Sequence, residues 1–118
     1  MEFFTNDPNI LRYPPAETRF LDLRAQLDSD GKRLRVKLEL LPFQQRPNIE
    51  LDLIDSAGIK IASTSIIEPI SWKLELTLLI RKTASTGGKY TLTAGLFYSE
   101  LGEVDRRIFI IEIPSPAS

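Results

Sequence analysis

Apolar and polar side chains alternate with a two-residue period along most of the chain, and helical spacing is hard to find. From Phe20 to Leu27 the period sets Leu21, Leu23, Ala25 and Leu27 on one side and Asp22, Arg24 and Gln26 on the other. Asp28-Ser-Asp-Gly31 then reads as a turn, since Asp bonds its own backbone and Gly takes positive φ freely. Arg33 to Leu40 alternates cleanly, with Leu34, Val36, Leu38 and Leu40 inward. Asn48 to Asp55 places Ile49, Leu51 and Leu53 opposite Glu50 and Asp52, and closes on Ser56-Ala57-Gly58. Ile59 to Ile67 is weaker: its parity is ambiguous, and Ser63-Thr64-Ser65 suggests a sheet edge. Trp72, Leu74, Leu76, Leu78 and Ile80 form a fifth inward row. Tyr90, Leu92, Ala94, Leu96 and Tyr98 form a sixth, and Phe109, Ile111 and Ile113, within Arg107 to Ile113, a seventh.

Seven short strands with turn signals every 8–12 residues predict an all-β fold, a seven-stranded antiparallel Greek-key β-sandwich. Residues 17–114 would form this one domain, preceded by an N-terminal arm over 1–16 that Pro8, Pro14 and Pro15 keep irregular. The tail 115–118 should fray.

Gly88-Lys89-Tyr90-Thr91-Leu92 resembles the entry to the sixth strand of immunoglobulin-like and fibronectin type III-like sandwiches. The resemblance implies that the Tyr90 hydroxyl bonds back to the preceding loop and that Leu92 takes the apolar centre. It also implies that Leu38 stands where antibody domains carry an inter-sheet cysteine. Trp72 opens the fifth strand, whereas antibody domains carry their tryptophan on the third.

Composition narrows the chemistry. There is no Cys and no His among the 118 residues, which removes disulfides, Cys/His zinc sites and histidine bases. Fifteen Lys+Arg against sixteen Asp+Glu leave a net charge of −1, so nothing favours nucleic acid or an anionic membrane. The start MEFFTNDPNI lacks the basic and apolar regions of a secretory signal, and a cytoplasmic protein is expected.

Candidate sites fail on spacing. Thr83 to Tyr90 contains Thr-Gly-Gly-Lys, but a phosphate loop needs Gly at 83 and Ser or Thr at 90, and a helix after it. Asp28-Ser29-Asp30-Gly31 holds two acids of a calcium loop without the later ligands. Glu100, Glu103 and Asp105 read as solvated loop charge. No serine has a base nearby, and no carboxylate pair sits in a cleft. The expectation is therefore a protein without catalytic activity, metal or cofactor.

The two outer faces differ. The resemblance to immunoglobulin-like sandwiches implies that strands one, two and five form one sheet, with Asp22, Arg24, Arg33, Arg35, Lys37, Glu39, Lys73 and Glu75 outward. Strands three, six and seven should form the other, with Glu50, Asp52, Ile54, Thr91, Thr93, Phe97, Ile108 and Ile110 outward, apolar residues and only acids. Ile54, Phe97, Ile108 and Ile110 are too apolar for solvent and predict a covered surface. Its cover would be the chain's own arm through Phe3, Phe4, Ile10, Leu11 or Tyr13, a second copy in a homodimer, or a different protein. A protein-interaction or structural module follows. The alternatives are a small-ligand or carbohydrate-binding module, which the scattered aromatic rings do not favour, and a small proteinase inhibitor using Pro42 to Pro47 or Ser99 to Glu103.

Overall fold

The alternating pattern becomes seven strands: β1 (Phe20–Leu27), β2 (Arg33–Leu40), β3 (Asn48–Ile54), β4 (Lys60–Ile67), β5 (Lys73–Leu79), β6 (Gly88–Tyr98) and β7 (Gly102–Ile113). The structure, a computed structural model, describes residues 10–29, 31–80 and 88–113. One sheet has the order β1-β2-β5 and the other β4-β3-β6-β7, and every pairing is antiparallel. The expected division of strands is thus observed, and β4 joins the second sheet as the edge strand its Ser-Thr-Ser run suggested. Among the described residues no helix is long and apolar enough to cross a membrane.

The turns follow from local chemistry. Gly31 adopts φ +70 and its N–H bonds the Asp28 carbonyl, which closes β1 onto β2. At the β3–β4 turn the Asp55 carboxylate accepts from the N–H groups of Ala57 and Ile59, so the side chain copies a backbone turn. Leu101 N–H bonds the Tyr98 carbonyl, and Gly102 at φ +76 makes the β6–β7 connection short.

The core lies where the inner rows meet. Leu34, Leu40, Ile49, Leu51, Leu53, Leu92 and Leu96 are fully enclosed, and Val36, Leu38, Phe20 and Tyr90 nearly so. Each such side chain stabilises the fold by about 1.5–3 kcal/mol relative to exposure. Ala62, Thr64 and Ile66 oppose Leu53, Leu51 and Ile49, which settles the parity of β4: Ser63, Ser65 and Ile67 point outward.

Three sequence expectations need correction. Register shifts between Phe20 and Asp22, so Leu21 is the extra residue of a β-bulge. The bulge turns Phe20 into the core and leaves Leu21 half exposed, the reverse of simple alternation. Trp72 precedes β5 rather than lying in it; its carbonyl accepts from Leu40 N–H and its ring meets Phe43 edge-on at 6.2 Å. The last strand starts five residues before Arg107, so Glu103 and Asp105 are strand residues.

The described part of the arm is ordered by backbone bonds. Tyr13 N–H bonds the Pro42 carbonyl and Gln44 N–H bonds the Tyr13 carbonyl, a one-residue parallel bridge to Phe43. The Arg12 guanidinium sits 5.5 Å above the Trp72 ring, and Ile10 packs on the core. Phe3, Phe4, the tail 115–118 and most of the Thr-Gly-Gly-Lys loop, residues 81–87, lie outside the described residues.

Candidate interaction surface

On the outer face of the second sheet, cross-strand register builds four rows. Lys60, Ile54, Thr91 and Ile110 form the first; Ser63, Asp52, Thr93 and Ile108 the second. Ser65, Glu50, Gly95 and Arg106 form the third, and Ile67, Asn48 and Phe97 the fourth. Ile108 and Ile110 therefore lie together at one corner, with Ile54 in the Ile110 row but two strands away across Thr91. Ile108 is 60% and Ile110 53% exposed, flanked by the methyl-bearing Thr91 and Thr93.

Phe97 is not part of that corner, a correction to the sequence-based grouping. It lies six residues along β6 from Thr91, roughly 20 Å away at strand spacing. Alternation assigns a face, but only the pairing register assigns a position along it. Phe97 is also half-buried, because its ring folds back over Gly95. A Cβ built on Gly95 would stand 2.6 Å from Phe97 Cε1 and 3.1 Å from the Glu103 carboxylate. Glycine supplies the seat, and Glu103 borders it.

The face also carries cations, so it is not acidic throughout. Arg106 binds Glu103 through two hydrogen bonds of 3.1 and 2.6 Å. That hydrogen bonding, with the nearby Glu103, Asp52 and Glu50 charges, raises the Arg106 pKa further. Lys60 lies 3.5 Å from Asp52. Sequence alternation missed both because Arg106 was placed in a loop and β4 had no assigned sheet.

Asp105, read from sequence as a solvated loop acid, is a structural group. Its carboxylate accepts from Phe20 N–H at 2.8 Å and from Arg106 N–H at 2.9 Å. Arg107 donates to the Phe20 carbonyl at 2.7 Å. β7 thereby grips both main-chain polar groups of Phe20 on β1 and fastens the two sheets along that edge. β1 is an edge strand of its sheet, and these β7 side chains partner the Phe20 main chain on the side away from β2.

Of the residues the sandwich resemblance singled out, Leu38, Leu92, Trp72 and Tyr90 are all buried. Burial, and secondarily the Asp55 carboxylate, pushes the Tyr90 hydroxyl above its usual pKa. Tyr98, which sequence placed only in the core, makes a long-range bond of its own. The Tyr98 hydroxyl donates to the Gln45 carbonyl at 2.7 Å and lies 3.2 Å from Thr18 Oγ1. Thr18 in turn donates to the Pro14 carbonyl at 3.0 Å. Nothing in local spacing marks Tyr98 for this, since its partner is 53 residues away.

An open groove of about 1020 Å³ is lined by Asp22, Arg24, Lys37 and Glu75 of the first sheet together with its inward-facing Val36 and Leu76 and, from the second sheet, Phe109. Arg24 pairs with Asp22 at 2.9 Å, Arg35 with Asp28 at 2.8 Å, and Lys37 with Glu75 at 3.9 Å. Asp28, a suspected calcium ligand, is thus engaged by Arg35. Among the described residues no three acidic side chains gather to hold a metal.

No family model and no curated protein matches this sequence. Solved structures of the same shape exist. A β-glucuronidase from Parabacteroides merdae superposes over 81% of this chain and 14% of its own, with TM-score 0.64 and 15% identity. The Bifidobacterium dentium β-glucuronidase complexed with coumarin-3-O-glucuronide covers 84% and 18%, with TM-score 0.62 and 16% identity. A glycosyl hydrolase family 2 member from Bacteroides cellulosilyticus covers 81% and 15%, with TM-score 0.61 and 13% identity. At these identities the likeness concerns the fold, and the chain spans about one-sixth of those enzymes' length.

Proposed function

We propose that this chain is a non-catalytic docking module, an immunoglobulin-like sandwich of the fibronectin type III kind that packs against another polypeptide surface. The strand division, with β4 beside β3, supports the fold assignment. The observation that carries the function is the Ile108–Ile110 corner, two large apolar side chains more than half exposed beside Thr91 and Thr93. The similarity to a small portion of much larger hydrolases supports a module that works beside other domains.

The carbohydrate-binding alternative has less behind it. Sugar stacking needs an open ring, and Trp72 and Phe43 are both buried. The inhibitor alternative needs a free loop. Residues 42–47 are held by Tyr13 and Tyr98, and the β6–β7 connection is a tight hairpin turn.

The test compares the native chain with Ile108→Lys/Ile110→Lys for solution mass by light scattering and for binding of a hydrophobic dye. Exposed positions tolerate such changes within about 0.5 kcal/mol of stability. Loss of dye binding or association at unchanged stability is the expected result. Identical dye binding and identical mass in both proteins would refute the docking role.

A further inference from the structure

Among the described residues β7 is the terminal strand of its sheet, and one of its edges has no ladder. Near its start that edge is guarded, because Asp105 and Arg107 reach the Phe20 main chain. Beyond Arg107 the guard ends. Among the described residues, no main-chain hydrogen bond other than the β6 ladder reaches residues 108–113. The outward residues along this stretch are Arg106, Ile108, Ile110 and Glu112, all exposed. A long apolar strand with a free edge is a template for pairing with another chain.

The order of those four residues names the other chain. In an antiparallel pair about a two-fold axis, each residue faces its mirror position in the copy. An axis at Ile108 would set Arg106 against Ile110, and an axis at Ile110 would set Glu112 against Ile108. An axis at Phe109 sets Arg106 against Glu112 and Ile108 against Ile110, each twice. Only this last register joins opposite charges and apolar partners together on the same face. Inward, Arg107 would stand opposite Ile111 with its guanidinium already turned to the Phe20 carbonyl.

We propose that β7 pairs edge to edge with β7 of a second copy, antiparallel about Phe109, so that two four-stranded sheets continue as one. This rests on the reading of the Ile108–Ile110 corner as a docking surface, and it identifies the partner as the same chain. The two corners then adjoin across the axis. They form one apolar strip, closed at each end by an Arg106–Glu112 pair.

The absence of cysteine makes a clean test. Residues directly opposite in such a pair have Cβ atoms about 4.5–5.5 Å apart, close enough for a disulfide after small adjustment. Ile108→Cys and Ile110→Cys chains, mixed and oxidised, should crosslink to a dimer, while each alone crosslinks far less. Glu112→Arg should weaken the native dimer several-fold by light scattering. A monomeric native protein, equal crosslinking in all three samples, or none in the mixture overturns the pairing. If crosslinking fails but the lysine double variant still loses dye binding, the docking surface stands and this partner does not.

Discussion

The polar groups of the two sheets are put to different uses. On the β1-β2-β5 sheet the outward charges pair with one another across solvent, as Arg24 with Asp22 and Lys37 with Glu75. On the β4-β3-β6-β7 sheet several polar side chains serve main-chain groups of distant elements. Asp105 and Arg107 hold Phe20, and Tyr98 holds Gln45. The first arrangement is interchangeable, because water can replace any partner. The second is not, because a freed main-chain group at the seam loses its partner and gains little water. The seam between the sheets is thus held by directed bonds, whereas the outer charges are interchangeable.

The largest break in this contrast should come from Asp105. Replacing it with alanine strands the Phe20 N–H and removes a partner from both Arg106 N–H and Arg107. The expected loss is about 2–3 kcal/mol in urea unfolding, in the range of hydrogen bonds to charged groups. Asp105→Asn should recover part of it, since the amide oxygen still accepts. Equal losses in both variants would show that the carboxylate's charge, not its bond to Phe20, is what matters.

Gly95→Val comes next. The new side chain collides with the Phe97 ring and the Glu103 carboxylate, so the ring must leave its seat. Overpacking of this kind costs about 2 kcal/mol. Adding Phe97→Ala should return much of that loss, and a double variant no more stable than Gly95→Val would contradict the seating.

Tyr98→Phe should cost about 1 kcal/mol, the worth of one hydrogen bond to the Gln45 carbonyl. It also carries a pH signature. Burial raises the Tyr98 pKa above 10.0, with the Thr18 hydrogen bond acting weakly the other way. A raised folded-state pKa means that the contribution is complete below pH 10 and is lost as pH rises through the folded value. Urea midpoints of the native chain should therefore fall above pH 10, and fall less in Tyr98→Phe. Tyr90, raised by burial and by Asp55, acts in the same direction.

The fold was legible because alternation is a local property. Leu34, Val36, Leu38 and Leu40 announce their face without reference to any other strand, and the same holds for Ile49, Leu51 and Leu53. What alternation cannot carry is register. It put Leu21 inside because one extra residue at the bulge inverts parity, and it grouped Phe97 with Ile110 because both are outward. Ile108 and Ile110 lie in adjacent rows, whereas Ile54 shares the Ile110 row only across Thr91. Asp105 and Tyr98 were opaque for a third reason: their partners, Phe20 and Gln45, lie 85 and 53 residues away and are main-chain groups with no side-chain signature.

The smallest effect is the one that most sharpens the contrast. Lys37 and Glu75 face each other at 3.9 Å on the first sheet, with side chains 70% and 75% exposed. Water screens such a pair, and holding two long side chains together costs entropy that offsets the attraction. Lys37→Ala should therefore change stability by under about 0.5 kcal/mol, and the Glu75→Ala cycle should show coupling of only a few tenths. Added salt should erase even that, because exposed charges are screened within about 10 Å at 0.1 M. The Asp105–Phe20 bond, by contrast, should keep most of its value in the same salt, since it is short and partly buried. A Lys37–Glu75 coupling as large as the Asp105 effect would mean that the outer charges are held as tightly as the seam between the sheets, and the contrast between them would fail.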